Sequence, residues 1–160
     1  DEAIIKYVRF KYHLLIGKRT AEDVKIAIGC VYPRTELVKH RIKGRNLITG
    51  LPQYADVTSD EMLECLLEPA MKITQEIQRV LQSTPPELMG DILSDGIIVT
   101  GASAQIYGFD KLIARKTEIP VRIADNSATC VVEGAGKAIQ FIDDMDKKEY
   151  GVLNPLSDAY

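Results

Sequence analysis

A chain of 160 residues, 46% hydrophobic and 27% charged, has the length of one domain or two small ones and enough apolar material for a sizeable core. No run approaches the roughly eighteen consecutive apolar residues of a membrane span, and the opening DEAIIKYVRF lacks the layout of a signal peptide, so the expected setting is cytoplasmic. The net charge of −3 is unevenly spread: residues 1–58 carry eleven Lys/Arg against six Asp/Glu and residues 59–160 nine against seventeen, which predicts two different units.

Ile4, Ile5, Val8, Tyr12 and Leu15 recur at helical spacing before Gly17, which predicts an amphipathic helix over 2–16 with a glycine cap. Thr20 with Asp23 three residues on resembles a capping box opening a short helix, whose apolar side is Ala21, Val24 and Ile28 and which Gly29 ends. From Glu36 to Val57 the pattern becomes short alternating strands, broken at Lys43-Gly44-Arg45 and at Gly50-Leu51-Pro52. Lys39, Arg41, Lys43 and Arg45 alternate along this stretch with little aromatic interleaving, the pattern of a solvated strand face, so no nucleic-acid partner is expected.

Ser59 is placed as the cap of a helix to about Leu67, and Pro69 in the first turn of a second helix with a stripe of Ile73, Ile77, Val80 and Leu81. STPPEL restarts a helix to about Leu93, and Asp95-Gly96 turns into a strand at Ile97–Val99 that stops at Gly101. A helix over about 108–117, a strand at VRIA and a helix from Ser127 to about Asp144 follow. Strand and helix alternating through short links imply a parallel α/β sheet. The stretch from Lys147 to Tyr160 reads as an extended arm.

Cys30, Cys65 and Cys130 lie far apart, without the spacing of a disulfide framework or a zinc site, and read as reduced and buried. His13 and His40 offer no ligand pair and no triad, so neither a metal site nor a catalytic centre is expected.

The segments DEAIIKYVRFKYHLLIGKRTAEDVKIAIG, GRNLITGLP, TPPEL, GIIVTGASA and TCVVEGAGKAI resemble, in order, the C-terminal half of the MreB family, bacterial actin-like proteins that set rod shape. The resemblance runs to about residue 142. It implies the actin-like ATPase fold, two lobes around a nucleotide cleft with RNase H-like subdomains, of which this chain is an incomplete lobe two: α/β, with parallel strands and helices plus a small α+β subdomain. Residues 1–16 are expected to be the first helix of the larger subdomain, 17–58 the small subdomain, 59–146 the remainder of the larger one and 147–160 the tail.

A strand that ends in glycine before a helix brings free N–H groups to the sheet edge, and the resemblance assigns Thr100-Gly101-Ala102-Ser103 to the adenosine motif. The family usually has three glycines after the threonine. If the second takes positive φ or lets the ligand approach closely, the Cβ of Ala102 costs about 1 kcal/mol, which the Ser103 hydroxyl offsets in part. Glu22 and Lys25 stand three apart on one helix face and resemble the Glu-x-x-Lys pair that closes over adenine in actin-like ATPases, although the spacing alone also suits a surface ion pair. Lys18 stands where the family more often has Glu, which would make the cleft rim more basic. Gly134-Ala135-Gly136-Lys137 lacks the spacing of a phosphate loop, and its small residues are expected to let a helix pack closely on the sheet.

The resemblance therefore implies the C-terminal portion of an ATP-binding, filament-forming cytoskeletal protein that governs rod shape and organises cell-wall synthesis. ATP and Mg²⁺ would serve the intact protein, a slow ATPase whose phosphate loops are expected upstream of residue 1. This chain itself should be inactive and bind nucleotide weakly or not at all, with Glu22, Lys25, Gly101, Ala102 and Ser103 as nucleotide-binding positions and no catalytic or metal residues. The implied partners are further copies of itself, with cell-wall synthesis and membrane proteins, and the filaments would be membrane-associated. Two other readings stand beside it: a chaperone-type or plasmid-segregation relative on the same fold, or an interaction module that has lost nucleotide binding.

Overall fold

The computed structural model describes residues 1–140, so the expected arm over 147–160 and the last turn of the helix predicted to Asp144 lie outside the described residues. Helix α1 runs over Glu2–Tyr12 rather than to residue 16. His13 ends it in the left-handed region at φ 50°, and Leu14–Leu15 form a short strand, β1, paired antiparallel to Asn46 and Arg45. Tyr12 and Leu15 fit a helical period equally well, but Leu14 faces the core and Leu15 is partly exposed, the alternation of a strand.

Helix α2, Lys18–Ile28, starts at Gly17, which places Thr20 inside the first turn, where it cannot cap. The buried stripe of Ala21, Val24 and Ile28 is as expected, and the Gly29 N–H closes the helix on the Lys25 carbonyl at 2.9 Å. Strand β2, Lys39–Asn46, pairs antiparallel with β3, Pro52–Thr58, in an unbroken ladder from Lys39↔Thr58 to Arg45↔Pro52. Gly44 is therefore no break: a Cβ there would meet the Leu15 carbonyl oxygen at 2.6 Å, so the glycine is what lets β1 approach. The break at Gly50 is real, with φ 73°, and the Asn46 side chain accepts from the Ile48 and Thr49 N–H groups at 2.7 and 2.9 Å to build the turn.

Helix α3 is one continuous element, Ser59–Ser83, where the sequence predicts two. Its cap is Thr58, not Ser59: the Glu61 N–H reaches Thr58 Oγ1 at 3.4 Å while Glu61 Oε2 accepts from the Thr58 N–H at 2.7 Å. Ser59 is buried and accepts from the Val38 N–H. Pro69 lies inside the helix with its own ring exposed and does not end it. Met62, Leu66, Ala70 and Thr74, buried at four-residue spacing on both sides of the proline in sequence, hold the helix down through that point.

Helix α4 (Pro86–Asp95) leads into β4 (Ile97–Val99), a four-residue 3₁₀ turn (Ala102–Gln105), α5 (Phe109–Thr117), β5 (Val121–Ile123) and α6 (Cys130–Gln140). Strands β4 and β5 pair in parallel, Ile97↔Val121 to Val99↔Ile123. Helix α6 starts three residues later than predicted. A Cβ at Gly134 or Gly136 would meet nothing within 4 Å, so these glycines mark no close packing among the described residues, contrary to expectation.

One core joins α1, α2, α3, α5 and the β1–β2–β3 sheet, with Ile4, Val8, Leu14, Val24, Ile42, Val57, Met62 and Ile113 fully enclosed. The segment after α2 and the segment after the 3₁₀ turn are joined beside this core by a parallel bridge between Cys30 and Tyr107, with the Val31 N–H donating to the Tyr107 carbonyl at 3.0 Å. No helix among the described residues is long and apolar enough to cross a membrane.

Candidate functional site

Tyr107, one partner in the bridge to Cys30, lines a cleft between α2 and the turn after β4. The cleft holds a cavity of ≈ 400 Å³ whose lining includes Glu22, Lys25, Ala102 and Ser103 from the predicted set, together with Arg34 and Tyr107. Residues some eighty positions apart in sequence thus meet at one place.

Gly101 does not line the cavity but shapes its wall. It has φ 94°, a region open to glycine alone at little cost, and its N–H donates to the Ser127 carbonyl at 2.7 Å while its own carbonyl accepts from Ala104. The turn that follows leaves the N–H groups of Ala102 and Ser103 without partners inside it, as the first residues of any such turn must. Ala102 has no positive φ, so the expected backbone strain at this alanine is absent; only Gly101 needs the unusual conformation. Behind the turn Ser127 is buried, accepting from Gln105 Nε2 at 3.2 Å, so the loop before α6 holds the turn from the rear.

Glu22 is exposed on α2, and Lys25 lies one turn further along the same helix. The Lys25 ammonium is engaged by the Asp1 carboxylate at 2.7 Å, with both side chains partly shielded. A ligand recruiting Lys25 therefore competes with Asp1 or shares the ammonium with it. Lys18 opens α2 and is not part of the lining.

Arg34 is the residue that sequence reasoning missed. It lies in the link between α2 and β2, its guanidinium carbon 4.4 Å from the Tyr107 ring centroid, with Nη2 donating to the Gly29 carbonyl at 3.3 Å. The only available signal was an arginine one residue beyond a Tyr-Pro pair, which points to a turn and not to a ligand.

The arrangement combines a carboxylate, two cations, an aromatic edge, apolar surface from Ile26 and Ile106, and a glycine-shaped turn with free N–H groups. That mixture fits a flat, heteroaromatic ligand carrying both donors and acceptors, as a nucleoside does, and the volume accommodates one. No group of three or more His, Cys, Asp or Glu suited to a metal ion occurs among the described residues. The Cys30 thiol, pushed up by burial, donates to the Ser59 carbonyl and takes no part in the cavity.

The profile of the MreB/Mbl protein family matches residues 1–147. The cell shape-determining protein Mbl of Bacillus cereus is 43% identical over 148 residues, which is 92% of this chain and 44% of that protein. The cell shape-determining protein MreB of Escherichia coli is 43% identical over 143 residues, 89% of this chain and 41% of the relative. The crystal structure of MreB5 of Spiroplasma citri bound to ADP superposes with a TM-score of 0.86 at 37% identity, covering 92% of this chain and 45% of that one. The chain spans less than half the length of the relatives it matches.

Proposed function

This chain belongs to the MreB/Mbl family and has the actin-like ATPase fold in part, and from that membership we propose that it forms the adenosine-binding side of a filament-forming, ATP-dependent cytoskeletal protein. In the intact protein it governs rod cell shape and organises cell-wall synthesis, as cytoplasmic filaments associated with the membrane. The observation that carries the reading is the convergence of Glu22, Lys25, Ala102 and Ser103 on one cavity. In support, the Spiroplasma citri relative, with the same fold over nearly all of this chain, was crystallised with ADP and with AMPPNP.

In this reading Glu22 accepts from the base and Lys25 donates to the base or ribose, while Gly101, Ala102 and Ser103 present backbone N–H groups from below. The small unit at 17–58 and the larger unit made by 1–16 and 59–146 are the two subdomains of one lobe. Mg²⁺ and the phosphates would be held elsewhere in the intact protein, where fixed donors supply the charge stabilisation that phosphoryl transfer needs. The present chain binds nucleotide only weakly, near-millimolar, equivalent to roughly 4 kcal/mol. Polymer contacts join further copies, with membrane and cell-wall synthesis proteins as outer partners.

Calorimetry and sedimentation of the intact protein, with and without Mg-ATP, test this. The expected result is micromolar binding and ATP-dependent pelleting. Absence of nucleotide binding would overturn the reading, and micromolar, Mg²⁺-dependent binding by residues 1–160 alone would overturn the assignment of the phosphate grip to other parts of the protein.

A further inference from the structure

Asp1 opens α1 as its N-cap residue, with its backbone carbonyl accepting from the Ile5 N–H at 3.0 Å, yet its side chain accepts nothing from the first turn. A carboxylate at that position ordinarily takes an N–H of its own helix. Here Oδ1 instead accepts from the Lys25 ammonium of α2 at 2.7 Å. The Lys25 side chain is 21% exposed, whereas in the other ion pairs among the described residues the cation is 49% exposed or more. Lys25 lines the cavity of ≈ 400 Å³ that it shares with Glu22 and Ala102, and it also lines a neighbouring one of ≈ 380 Å³ to which Asp1, Val31 and Phe109 belong. Lys25, Ser103 and Ile106 are common to both and form the partition between them, and Asp1 stands on the far side of it.

A free lysine head samples many rotamers, and a ligand that uses it must first arrest it. A carboxylate on the side away from the ligand does so in advance, and the ammonium, with three N–H groups, keeps two for other acceptors. We propose that Asp1 is a positioning residue: from behind the partition it holds the Lys25 ammonium where the nucleotide meets it, and it shares that ammonium with the ligand instead of competing for it. The proposal rests on the nucleotide reading above and extends it to a residue outside the cavity. Charge alone predicts the opposite sign, because removing a carboxylate near an anionic ligand tightens that ligand. The direction of the effect therefore separates positioning from a simple field.

The test is calorimetric titration of the intact protein with ADP, comparing the parent with Asp1→Asn, Asp1→Glu, Lys25→Ala and the double variant of Asp1→Asn with Lys25→Ala. Asparagine caps a helix as well as aspartate does, so the start of α1 is kept while the charge is lost. Asp1→Asn should weaken ADP by ~5-fold, the size of one hydrogen bond to a charged group, and Asp1→Glu, which restores the carboxylate, should recover part of that loss. In the Lys25→Ala background the same Asp1→Asn change should cost less than ~2-fold, because the head that Asp1 holds is gone. Unchanged or tighter binding in Asp1→Asn overturns the proposal, as does an equal loss with and without the Lys25 side chain, which would leave Asp1 a structural residue of α1. If Asp1→Asn fails to fold by circular dichroism, Asp1→Ser, another uncharged capping residue, is read in the same two backgrounds and decides. A parent that binds ADP no better than Asp1→Asn sinks this proposal alone, whereas a parent that binds no nucleotide sinks the reading beneath it as well.

Discussion

The region built on α1, α2, α3 and the antiparallel sheet differs sharply from the region built on α4, β4, β5 and α6. The first closes on itself: all three of its strands contribute core residues, and the N-terminus of α3 is fixed by a complete capping box. In the second, α4 has no buried residue, neither strand has a fully buried one, and Ile98, Leu88, Leu93, Val131, Val132 and Ile139 remain exposed. The cavity lies at the seam, with one wall on α2 and the other on the turn after β4, where a region with a closed core meets one that leaves much of its apolar surface exposed.

Substitutions in the two regions should separate by several kcal/mol. Met62→Ala or Leu14→Ala, both fully buried, should cost about 3 kcal/mol in urea unfolding, whereas Leu93→Ala in α4 should cost under about 1 kcal/mol because that side chain is half in water already. Equal losses would erase the contrast.

Glycines sharpen it. Gly44→Ala drives a methyl into the Leu15 carbonyl oxygen and the Leu14 side chain and should cost about 2 kcal/mol, while Gly134→Ala, in an open helix position, should be neutral or stabilise by up to about 1 kcal/mol. Thermal unfolding of the two variants side by side reads both signs.

Acid should loosen the first region at one identifiable point. Burial alone would raise the Glu61 carboxyl, but the Lys11 ammonium at 2.8 Å, the Tyr12 hydroxyl at 2.6 Å and the Thr58 N–H outweigh it and hold it below its ordinary 4.5. A carboxyl lowered in the folded state contributes stability above its unfolded value, and that contribution disappears as pH falls through the folded one. Glu61→Gln should therefore cost about 1 kcal/mol at pH 7 and make stability less steep below pH 4.5, measured as urea midpoints from pH 3 to 7. Parallel pH profiles for parent and variant would show that the clamp carries no charge-dependent stability.

The smallest effects belong to the cavity and should leave folding alone. In the intact protein Glu22→Ala and Lys25→Ala should each weaken nucleotide binding by about 1 kcal/mol by calorimetry. Ala102→Gly should leave binding equal or improved, since the alanine Cβ lines the cavity without bearing backbone strain. Unchanged affinity in both charge variants would return Glu22 and Lys25 to the status of surface residues.

What the sequence disclosed follows from the range of the forces involved. The apolar stripe of α2 and the parallel pair β4–β5 were legible because local periodicity and long-range packing agree there. Gly44 and Pro69 are residues that punctuate a chain, and here both are accommodated by tertiary surroundings, one by the approach of β1 and the other by the buried residues that pin α3 before and after it. Thr58 and Ser59 both offer a capping hydroxyl, and Glu61, three residues after Thr58, is what makes Thr58 the cap. In the cavity, Glu22, Lys25 and Ala102-Ser103 were found through motif resemblance, but Arg34 could not be, because its role arises from stacking on Tyr107, seventy-three residues away.

The Cys30 thiol gives the seam a clock. It is almost wholly enclosed, its Sγ donates to the Ser59 carbonyl at 3.1 Å, and burial raises its pKa, so no thiolate is offered to a reagent while α2, α3 and Tyr107 stay together. Alkylation at this sulfur proceeds only during the moments when those elements part. Its rate, divided by that of an unprotected thiol, is the fraction of time these elements stand apart, and a ligand that grips both walls would lower that fraction by the factor 1 + [L]/Kd.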